Sequence, residues 1–154
     1  MAAIRDPHLV EGRRGTIYPA EFAAGFEGRI KRALGNAGGL TQFGVNLTTL
    51  EPGAMSAHRH WHRNEDEFIY VLEGELTLVT DAGEETLRPG MAAAFPAGEP
   101  NGHHLVNRGT TPASYLEIGT RCEDEDAEYP DIDLRLQKRN GKFVFTRKSG
   151  EPIP

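Results

Sequence analysis

The sequence predicts an all-β architecture, a sandwich or barrel. From Leu40 to about Gly119 the chain reads as short runs separated by turn signals, which is the pattern of closely spaced strands. The runs are rich in β-branched and aromatic residues or alternate apolar with polar positions. The 18 glycines and 10 prolines fall mostly between the runs, where turns need them. With 154 residues the chain is long enough for one domain with its own core. Residues 1–154 are therefore read as a single domain, with a barrel over about 40–120, an N-terminal extension over 1–39 and a C-terminal extension over 121–154.

Taken in order, Pro19 to Leu34 ("PAEFAAGFEGRIKRAL") is expected to hold a short helical turn, weakened by Gly25 and Gly28. "FGVNLTTL" from Phe43 to Leu50 sets Phe43, Val45 and Leu47 on one face, as a half-buried strand does, and Glu51-Pro52-Gly53 makes the turn after it. "EFIYVL" and "LTLVT", separated by Glu73-Gly74-Glu75, form a hairpin. Further strands are expected at "ETLR", "MAAAF", "HHLVN" and "ASYLEIG", between turns at Asp81 to Glu84, Arg88 to Gly90, Pro96 to Gly98 and Asn101-Gly102. The acidic cluster from Glu123 to Glu128 reads as a solvated loop, and "KFVFTR" from Lys142 as a last strand at the edge.

Composition excludes several classes of function. A net charge of -6 and a pI near 5.5 give no electrostatic footprint for nucleic acid or an anionic membrane. Cys122 is the only cysteine, so an internal disulfide, a thiolate-rich zinc site and the Pro-Cys-x-x-Cys of zinc deaminases are all ruled out. The sequence has no His-Glu-x-x-His and no Gly-rich phosphate loop. With no secretory signal and no apolar run of membrane-spanning length, a cytoplasmic location is expected.

Chemistry concentrates in "HRHWHRNEDEF", where His58, His60 and His62 alternate just ahead of Glu65, Asp66 and Glu67. Alternate strand positions share a face, so two histidines at His-x-His spacing can reach one ion, and a carboxylate opening the next strand can close on it. Imidazole with carboxylate suits a divalent transition metal: Fe, Mn, Ni, Zn, Co or Cu.

These residues resemble the two-part signature of the cupin superfamily. The first part runs from Gly53 to Gly74 and the second from Gly90 through Pro96-Ala97-Gly98 to Asn107. The resemblance implies a double-stranded β-helix, a jelly-roll barrel holding one metal ion on two histidines and a glutamate of the first part and a histidine of the second. Register decides which residues these are. The signature asks for six residues between its glutamate and its glycine, and this count separates Glu67 from Gly74, whereas from Glu65 it lands on Leu72. His60, His62 and Glu67 are thus assigned as ligands, with His58 at the rim of the site or behind it and Glu65 and Asp66 in a solvated turn.

In the second part Asn101 stands where the signature has histidine, and two extra residues lengthen the turn to His103. Alternation places His103, Leu105 and Asn107 on one face, so His103 is favoured over His104 as fourth ligand, and Asn101 is kept as a candidate ligand or substrate contact. Phe43, Val45, Leu47, Ile69, Val71, Leu78 and Leu105 are expected to line the site or form the core behind it. Tyr70 and Tyr115 are candidate proton donors, and Trp61 is expected to pack between sheets or subunits.

A site of three histidines and one glutamate leaves coordination positions open for a substrate. The resemblance therefore implies a small-molecule metalloenzyme of the oxygenase or isomerase type. The alternative is a non-catalytic ligand-binding or sensing cupin; fusion to a helix-turn-helix is disfavoured because the short N-terminal segment shows none. The resemblance also implies a homodimer, for which the segments before Leu40 and after Gly119 are the natural material.

Overall fold

The structure is a computed structural model describing residues 4–154. Among them the chain forms β1 (Gly12–Arg14), β2 (Arg29–Ala33), a single helical turn α1 (Leu34–Ala37), β3 (Phe43–Leu50), β4 (Trp61–His62), β5 (Glu67–Glu73) and β6 (Leu76–Thr80). There follow β7 (Gly83–Leu87), β8 (Ala92–Phe95), β9 (His104–Val106), β10 (Ala113–Thr120), β11 (Glu125–Glu128), β12 (Arg135–Arg139) and β13 (Lys142–Thr146). The paired strands are all antiparallel and fall into three sheets, in the orders β1-β2-β3-β10-β5-β8, β13-β12-β11-β4 and β7-β6-β9. This is the jelly-roll barrel that the sequence predicted.

The inner face of the large sheet is fixed by register. Leu50 stands opposite Ala113, Thr48 opposite Tyr115 and Asn46 opposite Glu117. On the other side of β10, Tyr115 opposes Val71 and Glu117 opposes Ile69. The core cluster of Leu50, Ile69, Val71, Leu76, Leu78, Leu87, Leu105 and Tyr115 grows on this face. Each fully buried aliphatic side chain there contributes roughly 1.5–3 kcal/mol.

The face expected for β3 is corrected in part. Phe43, Val45 and Leu47 share the face opposite to that of Leu50 and Thr48, across from Thr120, Ile118 and Leu116; Phe43 is 40% exposed, whereas Leu47 is buried as expected. Both faces of β3 are partly covered, so apolar alternation could not identify the inner one. Ile69, Val71, Leu78 and Leu105 do pack in the core as expected.

One further expectation holds in part and another gives way. The Pro19–Leu34 segment holds a short 3-10 turn at Ala20–Phe22, but its second half is β2. Arg29 and Lys31 alternate with Ile30 and Arg32, and pairing with β3 outweighs the helix propensity of the run. The acidic cluster is not a loop either, since Glu125–Glu128 is β11, whose Asp126 pairs with Arg139 and whose Glu128 pairs with Arg63. β11, β12 and β13 then close one end of the barrel over Tyr129, Leu134 and Tyr18.

Gly74, which set the register of the sequence motif, has a structural reason to be glycine. Its φ is +70°, and a Cβ would meet the Pro112 carbonyl oxygen at 2.7 Å.

Candidate metal centre

Two strands and one isolated bridge bring His60, His62, Glu67 and His103 to one end of the barrel cavity. β5 begins at Glu67, which faces inward two residues from Ile69. β4 carries His62 and is held by β11, with His62 opposite Ala127 and Trp61 opposite Glu128. The buried Glu125 carboxylate anchors the turn after β4 by accepting from the Arg63 N–H at 2.9 Å and the Asn64 N–H at 3.0 Å. His60 and His103 exchange backbone hydrogen bonds of 3.2 and 2.9 Å in an isolated bridge, so the second part of the signature is clipped directly to the first.

The Nε2 atoms of His62 and His103 each lie 3.3 Å from Glu67 Oε2, and that of His60 lies 3.8 Å from it. Ligands about 2.1 Å from a common ion and at right angles to one another would stand about 3.0 Å apart, so these separations fit a shared cation. The ligand atoms of His60, His62 and Glu67 lie within 4.8 Å of one another; His103 reaches Glu67 but stands outside that mutual set.

Backbone carbonyls orient two of the rings. His60 Nδ1 donates to the His58 carbonyl at 2.8 Å, and His103 Nδ1 to the Asn101 carbonyl at 3.3 Å. With Nδ1 donating, the Nε2 of each neutral ring offers a bare lone pair to the carboxylate oxygen, so the cluster needs either extra protons or a cation at its centre. Phe95 stacks on His103 with centroids 3.6 Å apart and planes within 4°. His62 is held less firmly, because its Nδ1 is buried without a hydrogen-bond partner among the described residues.

Electrostatics divide the three acidic and basic partners. Burial pushes the His60 pKa below its ordinary value, favouring the neutral ring. Burial opposes charge on His62 too, but the hydrogen bond and charge of Glu67, reinforced by Glu125 and Glu65, outweigh it and raise the pKa. Burial alone would protonate Glu67; the imidazoles of His103, His60 and His62 gathered around it instead hold its pKa well below the usual carboxylate range.

The other residues singled out from the sequence have different roles. His58 is turned away from the site: its ring packs among Tyr18, Phe22 and Phe26 and its Nε2 meets the Phe22 carbonyl at 2.8 Å. Only its own carbonyl serves the centre, because residues 55–60 are not a regular strand and the expected alternation starts late. His104 points to the Ala57 carbonyl at 2.8 Å, away from Glu67. Asn101 accepts from the Asp81 N–H at 2.9 Å and supports His103 through its carbonyl.

Glu65 is not in a solvated turn but is paired with Lys138 and accepts from the Cys122 N–H at 2.9 Å. Glu65, Glu125 and His62 also form a compact group, yet both carboxylates are occupied by these protein donors. Asp66 is exposed, as expected, and accepts from the Ala97 N–H of the distant Pro96–Gly98 turn at 2.8 Å. Tyr70 lies on the outer face and is 40% exposed, whereas Tyr115 is buried at the cavity wall. Trp61 lies under the Arg63 guanidinium, 5.2 Å from the ring centroid.

The cavity measures about 180 Å³ and continues from the four site residues to Tyr115, Glu117, Lys31, Arg29 and Arg13. Another, of about 200 Å³, lies behind Phe95 and meets His62 and His103 but not His60 or Glu67. Sequence reading missed the cationic wall. Its signal was Arg29-x-Lys31, a period-two pair inside a segment from which only a short helical turn was expected. Glu117 and Phe95 had no signal, because only register and stacking place them.

Among known proteins, the family model described as the cupin domain matches residues 46–119. A sugar phosphate isomerase of a cupin superfamily from Silicibacter pomeroyi is 50% identical, superposes with a TM-score of 0.92 and covers 97% of this chain and 95% of its own. A candidate sugar phosphate isomerase from Acidithiobacillus ferrooxidans is 32% identical with a TM-score of 0.74, over 82% of this chain and 80% of its own. A polyketide cyclase from Streptomyces resistomycificus is 26% identical with a TM-score of 0.64, over 78% of this chain and 80% of its own. No curated protein sequence matches. No helix among the described residues is long and apolar enough to cross a membrane.

Proposed function

The chain belongs to the cupin superfamily, and on that premise we propose that it is a metal-dependent isomerase of a small phosphorylated sugar. His60, His62, Glu67 and His103 are the residues that would hold one divalent transition metal. The observation that carries the reading is the pairing, in one cavity, of this cluster with a second carboxylate, Glu117, in a chain 50% identical over 97% of its length to a sugar phosphate isomerase.

When bound, the ion supplies Lewis acidity, polarising a carbonyl and holding neighbouring hydroxyl oxygens. The rest falls to side chains. Glu117 stands opposite Ile69 and so diagonally across from Glu67, about 7–8 Å away along the same face. It is the carboxylate within reach of a carbon beside a carbonyl held near Glu67, and we assign it the removal of a proton from that carbon and its return to the former carbonyl carbon, while the hydroxyl proton passes to the former carbonyl oxygen. Asn46 Nδ2 at 3.5 Å and Lys31 Nζ at 3.5 Å hold its carboxylate in place. Tyr115 stays a neutral hydrogen-bond donor, because burial raises its pKa. The apolar wall of Ile69, Phe95 and Leu105 keeps bulk water from the reacting carbons.

The test is proton NMR of protein reconstituted with each candidate metal and mixed with aldose and ketose phosphates of three to six carbons. Metal-dependent interconversion is expected for at least one pair, and Glu117→Gln should slow it by roughly 10²–10⁴-fold without loss of metal. Reconstituted protein that turns over none of them would reject the reading.

A further inference from the structure

We propose that Arg13, Arg29 and Lys31, at the end of the cavity remote from Glu67, form a subsite for the substrate's phosphate group. The inference deepens the isomerase reading and takes its substrate class from it, but its geometry stands independently. Arg13 is directly opposite Lys31 in the β1–β2 pair, and Lys31 is opposite Thr48, which is opposite Tyr115. All three cations therefore share the inner face with Glu67 and line the same cavity.

Arg29 is the most telling of them. It is only 9% exposed and has no carboxylate within ion-pair distance among the described residues. Its Nη1 donates to the Gly15 carbonyl at 3.1 Å, while its Nε is buried with no hydrogen-bond partner among the described residues. A buried guanidinium with an unused donor is costly unless an acceptor meets it. Glu117 is the one carboxylate lining the cavity besides Glu67, and it is paired to Lys31 at 3.5 Å. Three cations against one carboxylate leave two positive charges, which matches a phosphate monoester carrying about −1.5 to −2. The planar fork of arginine also suits phosphate oxygens.

Placement agrees with a two-ended substrate. β2 and β5 are three strands apart, about 14 Å along the sheet and less across its curvature. The phosphate lies at one end, the carbonyl and hydroxyls at the other, and Glu117 between them.

The experiment is calorimetric titration of inorganic phosphate into chelator-treated protein, where no metal can bind the anion. Saturable binding is expected, weakened at least about tenfold by Lys31→Gln and by Arg29→Gln, tightened by Glu117→Gln and unchanged by His60→Ala. Since Arg29→Gln could disturb folding, Arg13→Gln is the third variant, each checked by its unfolding midpoint. No saturable phosphate binding by the wild type, or binding lost in His60→Ala and kept in Lys31→Gln, would overturn the subsite. Turnover that prefers the phosphorylated over the free sugar equally in wild type and Lys31→Gln would overturn it while leaving the isomerase reading intact.

Discussion

The two ends of the barrel cavity are built in opposite ways. At the histidine end the side chains are fixed from behind: His60 and His103 by backbone carbonyls, the turn after His62 by Glu125, and the His103 ring by Phe95. At the cationic end Arg13 and Lys31 are long, partly solvent-exposed chains, and Arg29 keeps an unused donor. The proposed metal centre calls for rigid supports, because misplaced ligands lose affinity. The proposed anion subsite can rely on charge and flexible reach. The net charge is also divided: the chain as a whole carries −6, yet residues 1–39 hold six basic residues against four acidic ones.

The largest effect that could break this contrast is expected from Glu67→Gln, which removes the negative charge on which three imidazoles converge. Metal affinity should fall by more than about 100-fold in competition titrations while phosphate binding is retained. Joint loss of both would mean that the two ends are one unit.

A smaller but still large effect is expected for Glu125→Ala. It strips the acceptor from the Arg63 and Asn64 N–H groups, so stability should fall by about 1–3 kcal/mol in denaturant unfolding. Metal affinity should fall about 10–100-fold, as for other groups that act from behind the ligands. Unchanged metal affinity would show that β11 is not part of the support.

Next comes Phe95→Ala, which frees the His103 ring. Metal affinity should drop about tenfold, with little change in phosphate affinity.

The smallest effect is a proton count. Glu67, with Glu125 and Glu65, raises the His62 pKa above that of an ordinary imidazole, so the metal-free protein keeps its proton to higher pH. Metal binding must displace it, so calorimetry in buffers of different ionisation enthalpy should report net proton release. Affinity should weaken as pH falls. In metal-free protein the sign is the reverse for stability: the His62 contribution is full below pH 6.5 and is lost as pH rises through its raised pKa.

The same contrast explains what could be read in the sequence. That His60, His62, Glu67 and His103 come together was legible because His-x-His spacing and a glutamate opening the next strand constrain residue type and position together, and Gly74 gave the register through a position where no Cβ fits. Strand alternation anticipated that His103 and His104 point different ways, His103 toward Glu67 and His104 to the Ala57 carbonyl. The cationic wall was hidden because arginine and lysine are ordinary surface residues, and only pairing of β2 with β3 turns Arg29 and Lys31 inward. β11 was misread for a related reason: Glu125 and Asp126 look solvated in sequence, but arginines and backbone N–H groups from distant segments satisfy them. The inner face of β3 was misjudged because the outer face is apolar as well.

The central claim is the ligand set, and metal content per chain tests it most directly. After reconstitution and removal of loose metal, elemental analysis should find about one ion in the wild type and in His104→Ala, and nearly none in His60→Ala or His103→Ala. A wild type without metal, or metal kept by His103→Ala and lost by His104→Ala, would contradict it.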